Sequence, residues 1–486
     1  MSSFTDTIVA ISTPPGVSGI GIVRLTGPEA LALADRVFSP ADSRKLPSTQ
    51  PSFTLLYGRV VDGEEVVDEA LLSVMRGPRT YTTQDVVEIN CHGGIVPLRR
   101  TLELCLREGA RLAQPGEFTW RAFYFGRIDL AQAEAAADLI NAQTAEAAQA
   151  AVQQLSGRLS GQVEALRTTL ASLLAHLEAA IDFGEDDIEA LSPPEIAARL
   201  RAVAAHVDKL LATAEQGKLL RQGARVALVG RPNVGKSSLM NALLGEERMI
   251  VTPIPGTTRD TVAESLNIHG VPVVLVDTAG LREVADEIEQ AGVDRARQAL
   301  EEADVVLLVV EDGERWNVDR GSWIVGRGGE ALVAAGPTPL PPSLKGGGDR
   351  VVVVVNKCDL RGTWIVDRGS WDVGRGGEGP EARCVEVSAK THEGLDGLRE
   401  AIAERIGAAG MRATAEVIVT NVRHQQALGR AQTAVGRALA GVGAGATEEY
   451  LAEDLREALE ALGEIVGATS REEIIAEVFG RFCVGK

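Results

Sequence analysis

Aromatic residues make up 4% of this 486-residue chain, cysteine occurs 5 times, and basic residues are outnumbered by acidic ones. Each shortage argues against a class of protein. Cys91, Cys105, Cys358, Cys384 and Cys483 form no CxxC pair and show no disulfide-like spacing. That speaks against a disulfide framework or a cysteine-built metal site, and a reducing cytoplasm is the expected compartment. Lys and Arg number 49 against 68 Asp and Glu, a formal net charge of −19. Such a balance gives no broad basic footprint for nucleic acid, although a local basic site stays open. Long apolar runs are missing too. The run at residues 351–355, like the others, is far too short to span a bilayer and reads as a buried strand, so no membrane association is expected. The opening MSSFTDTIVA carries an acid instead of a basic leader and has no long apolar core, so no secretory signal is expected.

What is present is ordinary for a soluble globular chain: 45% hydrophobic and 24% charged residues, with alanine and glycine abundant. The length predicts two to four domains. Residues 1–125 alternate strand-like runs (7–11, 21–25, 54–61, 70–74, 86–89) with helical stretches near 29–38 and 96–108, which suggests a small α/β domain. Residues 126–220 turn to Ala, Gln, Glu and Leu with helical periodicity, interrupted near Phe183 and at Pro193-Pro194. Strand and helix patterns alternate again over 221–408, as a mainly parallel doubly wound sheet requires. Helical periodicity returns over 409–486. The economical reading is α/β plus all-α: a helical domain interrupted in sequence by a nucleotide domain.

One repeat stands apart. Residues 316–330 read WNVDRGSWIVGRGGE and residues 364–378 read WIVDRGSWDVGRGGE, differing at 2 of 15 positions. They sit in two insertions, 313–349 and 361–380. A duplicated binding loop is one reading; insertion of a repeated element into surface loops, which tolerate it, is the plainer one.

The chemistry concentrates in the nucleotide domain. A strand pattern over 225–229 leads into Gly230-Arg-Pro-Asn-Val-Gly-Lys-Ser237 and a helical SLMNALLG, which is GxxxxGK[ST] in strand–loop–helix context. Asn233, Val234 and Gly235 supply backbone N–H groups to phosphates, and Lys236 reaches the β- and γ-phosphates. Ser237 offers a hydroxyl to Mg²⁺, with Ser238 following. The next segment, Thr252, Pro253, Ile254, Pro255, Gly256, Thr257 and Thr258, suits a switch loop, with Thr258 as a second Mg²⁺ ligand. The strand over 273–276 ends in Asp277, Thr278, Ala279 and Gly280, where a carboxylate holds the metal's water shell and a glycine N–H senses the γ-phosphate. Asn356, Lys357 and Asp359 place a carboxylate for the guanine N1–H and amine; Ser388, Ala389 and Lys390 face guanine O6. Together the five segments predict a GTP-binding site and GTP hydrolysis. Leu281 stands where Ras-type enzymes carry a water-orienting glutamine, so the polar group must come from elsewhere; the segment from Arg282 to Glu289 offers candidates.

Outside that domain stand Asp6-Thr-Ile-Val-Ala10, Thr13-Pro-Pro-Gly16, Val87-Glu-Ile-Asn-Cys-His-Gly-Gly94, Pro115-Gly-Glu-Phe118, Asp129-Leu-Ala-Gln-Ala-Glu-Ala135 and the ending Phe482-Cys-Val-Gly-Lys486. With these motifs, nearly the whole chain resembles the tRNA modification GTPase MnmE (TrmE) family. The resemblance implies an N-terminal folate-binding and dimerising α/β domain, a helical domain, and an inserted P-loop GTPase domain. It implies a homodimer within a heterotetramer formed with an MnmG (GidA)-like FAD protein, the FAD residing on that partner. The pair would add a (carboxymethyl)aminomethyl group to carbon 5 of the wobble uridine of certain tRNAs. The one-carbon donor would be 5,10-methylene- or 5-formyl-tetrahydrofolate. Carried over position by position, Asn233, Thr252, Ile254 and Thr257 would ligate potassium. Glu289, the catalytic glutamate by this match, would orient water beside the catalytic Lys236. Arg24, Glu88, Arg127 and Lys486 would bind the folate, and Cys483 would lie near the modification site.

Competing readings are weaker in pattern. Gly16–Gly21 (GVSGIG) lacks βαβ context and reads as a turn, and Cys91-His92 lacks partners at ligand spacing. A ribosome-assembly GTPase of the Era or EngA kind shares the G motifs, yet would need a C-terminal KH-type module where this chain reads as helix.

Overall fold

The computed structural model describes residues 5–183, 191–230, 233–247, 263–277, 300–311, 315–319, 322–326, 350–360, 383–408, 417–469, 472–480, 482, 484 and 485. The chain divides into two compact units, one of residues 1–140, 152–207 and 427–486, the other of 141–151 and 208–426. In chain order the helices are α1 (Ala30–Val37), α2 (Ile95–Arg107), α3 (Glu117–Tyr124), α4 (Leu130–Asn141), α5 (Ala145–Leu155), α6 (Arg158–Phe183) and α7 (Pro193–Ala212). They continue with α8 (Ala214–Gln222), α9 (Lys236–Glu247), α10 (Leu395–Arg405), α11 (Val422–Ala444), α12 (Glu448–Val466) and α13 (Glu472–Gly480).

The first unit holds a seven-stranded sheet of β1 (Ile8–Ile11), β2 (Ser18–Thr26), β3 (Phe38–Pro40), β4 (Thr54–Asp62), β5 (Glu65–Met75), β6 (Val86–Gly93) and β7 (Arg111–Leu112). Its order is β3-β4-β5-β6-β2-β1-β7; only β1 and β7 run parallel. The strands alternate as a half-buried sheet must: β4 buries Leu56, Gly58 and Val60 and exposes Leu55, Tyr57 and Arg59. Val9, Val23, Leu25, Leu72 and Ile89 form the core with Leu33 and Val37 of α1 and Leu98 and Leu104 of α2. The residues from Gly16 onward run into β2 and build no nucleotide loop. Cys91 is buried against Thr101, and His92 pairs with Asp68 at 2.7 Å. Among the described residues no cluster of three potential ligands forms around them.

The helices of this unit follow the periodic apolar positions. On α6, Leu159, Val163, Leu166, Leu170, Leu173 and Leu177 are buried, and α6 packs on α12, which buries Leu451, Leu455, Ala458 and Leu462. The two prolines that break the preceding pattern begin α7, where Glu195 accepts from the Ser192 amide at 2.9 Å in a capping box. Among the described residues no helix is long and apolar enough to cross a membrane.

The second unit contains β8 (Ala224–Val229), β9 (Ala263–Ile268), β10 (Val271–Asp277), β11 (Val305–Glu311), β12 (Arg315–Asp319), β13 (Ser322–Gly326), β14 (Val351–Asn356) and β15 (Arg383–Glu386). Six of them form a sheet in the order β15-β14-β11-β8-β10-β9, parallel except between β9 and β10. This is the mainly parallel doubly wound sheet the strand–helix alternation requires. Its core joins Val226, Leu228, Val273, Leu275, Leu307 and Val354 to Leu239 and Leu243 of α9 and Leu398 and Ile402 of α10. Ala150 of α5 and Leu220 of α8 also belong to this core.

The first repeat copy differs from a plain surface loop. β12 and β13 pair as an antiparallel ribbon, with Trp316 opposite Val325 and Val318 opposite Trp323. Residues of high strand propensity on either side of Arg-Gly, Trp316 and Val318 before it and Trp323, Ile324 and Val325 after it, favour the pairing. The second copy, residues 364–378, lies outside the described residues.

Candidate functional site

β8 delivers the chain to Gly230, and the helix beginning at Lys236 receives it. A Cβ at Gly230 would lie 2.3 Å from the Val309 carbonyl of β11, so only glycine lets the loop leave the sheet here. Asn233 and Gly235 adopt left-handed conformations, φ +67° and +92°. Left-handed residues spaced like this turn backbone N–H groups inward to cup an anion, and the helix start behind them favours negative charge. Lys236 is buried, with its ammonium donating to the Gly230 carbonyl at 3.0 Å. The Ser237 hydroxyl donates to Asp277 Oδ2 at 2.8 Å. A hydroxyl and a carboxylate converging there fit a small hard cation such as Mg²⁺.

The far end of the sheet builds a second constellation. Asn356, closing β14, is buried; its amide donates to the Val234 carbonyl at 2.9 Å and its carbonyl accepts from the Ala389 amide at 3.2 Å. A Cβ at Gly235 would fall 2.4 Å from Asn356 Nδ2, so the loop and β14 approach as closely as two chains can. Lys357 donates to the Asn233 carbonyl at 3.0 Å. The Ser388 hydroxyl donates to Asp359 Oδ1 at 2.6 Å and accepts from the Thr391 amide at 3.2 Å, fixing an exposed carboxylate. Lys390 follows on the same turn, exposed. Val234 is buried beneath the loop and Ser238 is exposed on α9. The arrangement presents phosphate-binding groups after β8 and, two strands away after β14, an acceptor carboxylate for a base. Thr252, Pro253, Ile254, Pro255, Gly256, Thr257, Thr258, Thr278, Ala279, Gly280 and Glu289 lie outside the described residues.

In the N-terminal sheet, Arg24 of β2 and Glu88 of β6 are direct cross-strand partners. The Arg24 Nε donates to Glu88 Oε1 at 2.7 Å, and its guanidinium stands 5.7 Å over the Phe118 ring. Arg127 stacks 5.0 Å over Tyr81 and donates to the Tyr81 carbonyl at 3.1 Å. Tyr81 packs on the small cluster of Ile8, Ala10, Ala113 and Phe118, so both arginines attach to one aromatic group. The Gly485 carbonyl reaches the same place, accepting from Arg24 Nη1 at 3.3 Å. Cys483 and Lys486 lie outside the described residues. Tyr81 and Ser12, which sequence reasoning did not single out, belong to this group; Ser12 stands directly before Thr13-Pro-Pro-Gly16.

The motif acids and arginines nearby are structural. Glu117 and Arg121 are buried, and Arg121 Nη2 donates to Glu117 Oε1 at 3.0 Å and to Asp6 Oδ1 at 2.6 Å. Arg111 Nε donates to Asp6 Oδ2 at 2.6 Å, closing the network. Gly116, at φ +71°, allows the Phe479 carbonyl of α13 to come within 2.4 Å of where a Cβ would sit.

A strand–loop–helix phosphate cradle on a mainly parallel sheet, with a base-recognising carboxylate at the end of a strand two places away, defines a P-loop GTPase. Residues 7–127 match the family described as GTP-binding protein TrmE N-terminus, and residues 130–483 match the MnmE helical domain. The chain is 44% identical over 485 residues to the tRNA modification GTPase MnmE of Geobacillus kaustophilus, covering 99% of both chains. It is 46% identical to that of Chloroflexus aurantiacus, covering 99% of this chain and 100% of the relative. The G domain of the T. maritima FeoB iron transporter is 25% identical, aligning over 37% of this chain and 98% of that one with a TM-score of 0.24. The chain belongs to the tRNA modification GTPase MnmE family.

Proposed function

We propose that this GTPase uses potassium in hydrolysis and acts with an FAD-carrying partner of the MnmG (GidA) kind. Together they add a (carboxymethyl)aminomethyl group to carbon 5 of the wobble uridine of certain tRNAs. The observation that carries the reading is the Arg24–Glu88 pair with the Gly485 carbonyl upon it, a basic and acidic site in a unit that does not hold the P-loop. A carboxylate suits the aminopyrimidinone of a tetrahydrofolate, and arginines suit its glutamate. A one-carbon unit is what 5,10-methylene- or 5-formyl-tetrahydrofolate supplies when bound. Arg24, Glu88, Arg127 and Lys486 hold and orient it, and Cys483 lies near the modification site.

At the nucleotide, Lys236 binds phosphate oxygens, and Ser237, Thr258 and Asp277 serve the Mg²⁺ site. Asn233, Thr252, Ile254 and Thr257 take potassium, whose charge offsets that developing on the phosphates. Glu289 orients the attacking water in place of Leu281. Asp359, aided by Asn356, Lys357, Ser388, Ala389 and Lys390, selects guanine. The working form is a cytoplasmic homodimer within a heterotetramer. The exposed Leu55, Tyr57 and Leu71 of the N-terminal sheet support a second copy there. The functional division runs 1–125, 126–220, 221–408 and 409–486.

The test is reconstitution: purified chain, partner, FAD, folate donor, GTP and unmodified tRNA, followed by nucleoside mass spectrometry. A mass gain at the wobble uridine that requires both folate and this chain is expected. Unaltered wobble uridine in the complete mixture would refute the assignment.

A further inference from the structure

The Gly485 carbonyl uses both its lone pairs on the N-terminal sheet. Ser12 Oγ donates to it at 3.1 Å and Arg24 Nη1 at 3.3 Å. The backbone there has φ +101°, and a Cβ would stand 2.5 Å from the Ile11 carbonyl. Any other residue at 485 meets strain and a clash at once. The Ser12 amide donates to the Ile22 carbonyl at 2.8 Å, so the strands themselves fix the serine. Upstream, Phe482 is buried with Phe479, Val478 and Leu130, its ring 5.9 Å from that of Phe479. The chain is thus pinned twice, by an apolar anchor at 482 and a polar latch at 485. Cys483 falls between the two pins in sequence, and Lys486 directly follows the second.

We propose that Ser12 and Gly485 are positioning residues, which latch this segment onto the sheet and thereby set Arg24 and the residues around Gly485 for ligand. The inference rests on the folate reading of Arg24, Glu88, Arg127 and Lys486. Arg24 serves both sides: Nε is committed to Glu88 and Nη1 to Gly485, while a guanidinium has further donors for a bound group. The latch holds the guanidinium plane, so its loss acts on the ligand through Arg24 and the tail instead of by direct contact. Ser12 makes this contact across 473 residues of sequence and needs its hydroxyl as the donor, while the φ at 485 and the close Ile11 carbonyl require glycine there.

The test uses the full chain with Ser12→Ala, Ser12→Thr and Gly485→Ala. Hydrogen exchange is followed in the peptide containing Gly485, and binding of 5-formyl-tetrahydrofolate is followed by calorimetry. Thermal melting reports folding. Ser12→Ala and Gly485→Ala should exchange faster and bind the folate about 5-fold more weakly, the size of one net hydrogen bond. Ser12→Thr, which keeps the hydroxyl, should restore both. Exchange at the parent rate in both alanine variants overturns the latch. Faster exchange with unaltered folate affinity overturns the positioning role, whereas a parent chain that does not bind the folate overturns the folate reading beneath it.

Discussion

Ser237 at the start of α9 and Asp277 at the end of β10 are joined by a 2.8 Å hydrogen bond across 40 residues of sequence. The parallel pairing of β8 with β10 makes this contact, since it sets Asp277 opposite Leu228, just before the phosphate loop. Both oxygens suit Mg²⁺, so removing the carboxylate should weaken the metal more than the nucleotide. Asp277→Ala should raise the Mg²⁺ concentration for half-maximal GTP hydrolysis by about 10-fold or more. A Mg²⁺ titration of the rate measures this. An unshifted midpoint would remove Asp277 from the metal site.

Base selection is testable at Asp359. Its carboxylate is held by the Ser388 hydroxyl at 2.6 Å and is otherwise open to solvent. An acceptor at that point pairs with the guanine N1–H and amine; an amide there presents a donor to a donor. Asp359→Asn should weaken GTP binding by about 100-fold or more and raise the relative affinity for xanthosine triphosphate, which offers an acceptor instead. Competition binding against labelled GTP reads both. Equal losses for the two nucleotides would point to a disturbed fold, not a changed specificity.

The sequence made some of this plain and hid the rest for physical reasons. β8, β10, β11 and β14 are near-continuous apolar runs, as strands buried on both faces of a parallel sheet are, and such runs announce themselves. β3 and β7, of 3 and 2 residues, carry no periodicity and exist only because neighbouring strands pair with them. The repeat reads as an inserted loop from its sequence, and only the pairing of its two halves sets Trp316 opposite Val325. Ala150 and Leu220 look like ordinary helical-domain residues, since the periodicity of a helix does not say which core its face will meet. The Ser12–Gly485 contact has no local signal at all. By contrast, the P-loop was legible because its chemistry is contiguous in the chain.

The potassium reading turns on Asn233. Its φ of +67° is tolerated by asparagine and costs other side chains about 1 kcal/mol or more. Its backbone carbonyl is tied to Lys357 at 3.0 Å, so the loop has an anchor independent of the carboxamide. Hydrolysis should be faster in potassium than in sodium, and both Asn233→Ala and Asn233→Gly should lose the difference while still binding GTP. The glycine variant removes the amide without strain, which separates ligation from backbone effects. Equal parent rates in the two salts would sink the assignment.

The buried network at Glu117 predicts how acid unfolds the first unit. Burial pushes the Glu117 carboxyl up, but hydrogen bonds from Arg111, the Gln114 amide and Arg121 outweigh it and leave it below its ordinary 4.5. Asp6 behaves alike: burial raises it, and Arg111 and Arg121 bring it below its ordinary 3.8. A depressed carboxylate stabilises the fold fully above its unfolded pKa, and that stability is lost as pH falls through the folded value. The parent should therefore lose melting temperature steeply below about pH 4.5, as both acids are protonated. Glu117→Gln should cost about 2 kcal/mol at neutral pH, because the buried Arg121 keeps its Asp6 contact but loses the charge of Glu117. Its melting temperature should also fall less between about pH 5 and pH 3, since one linked proton is gone. Melting curves of the full chain at pH 7, 5, 4 and 3 give both readings. If the variant's curve runs parallel to the parent's across that range, Glu117 is not the group through which acid acts.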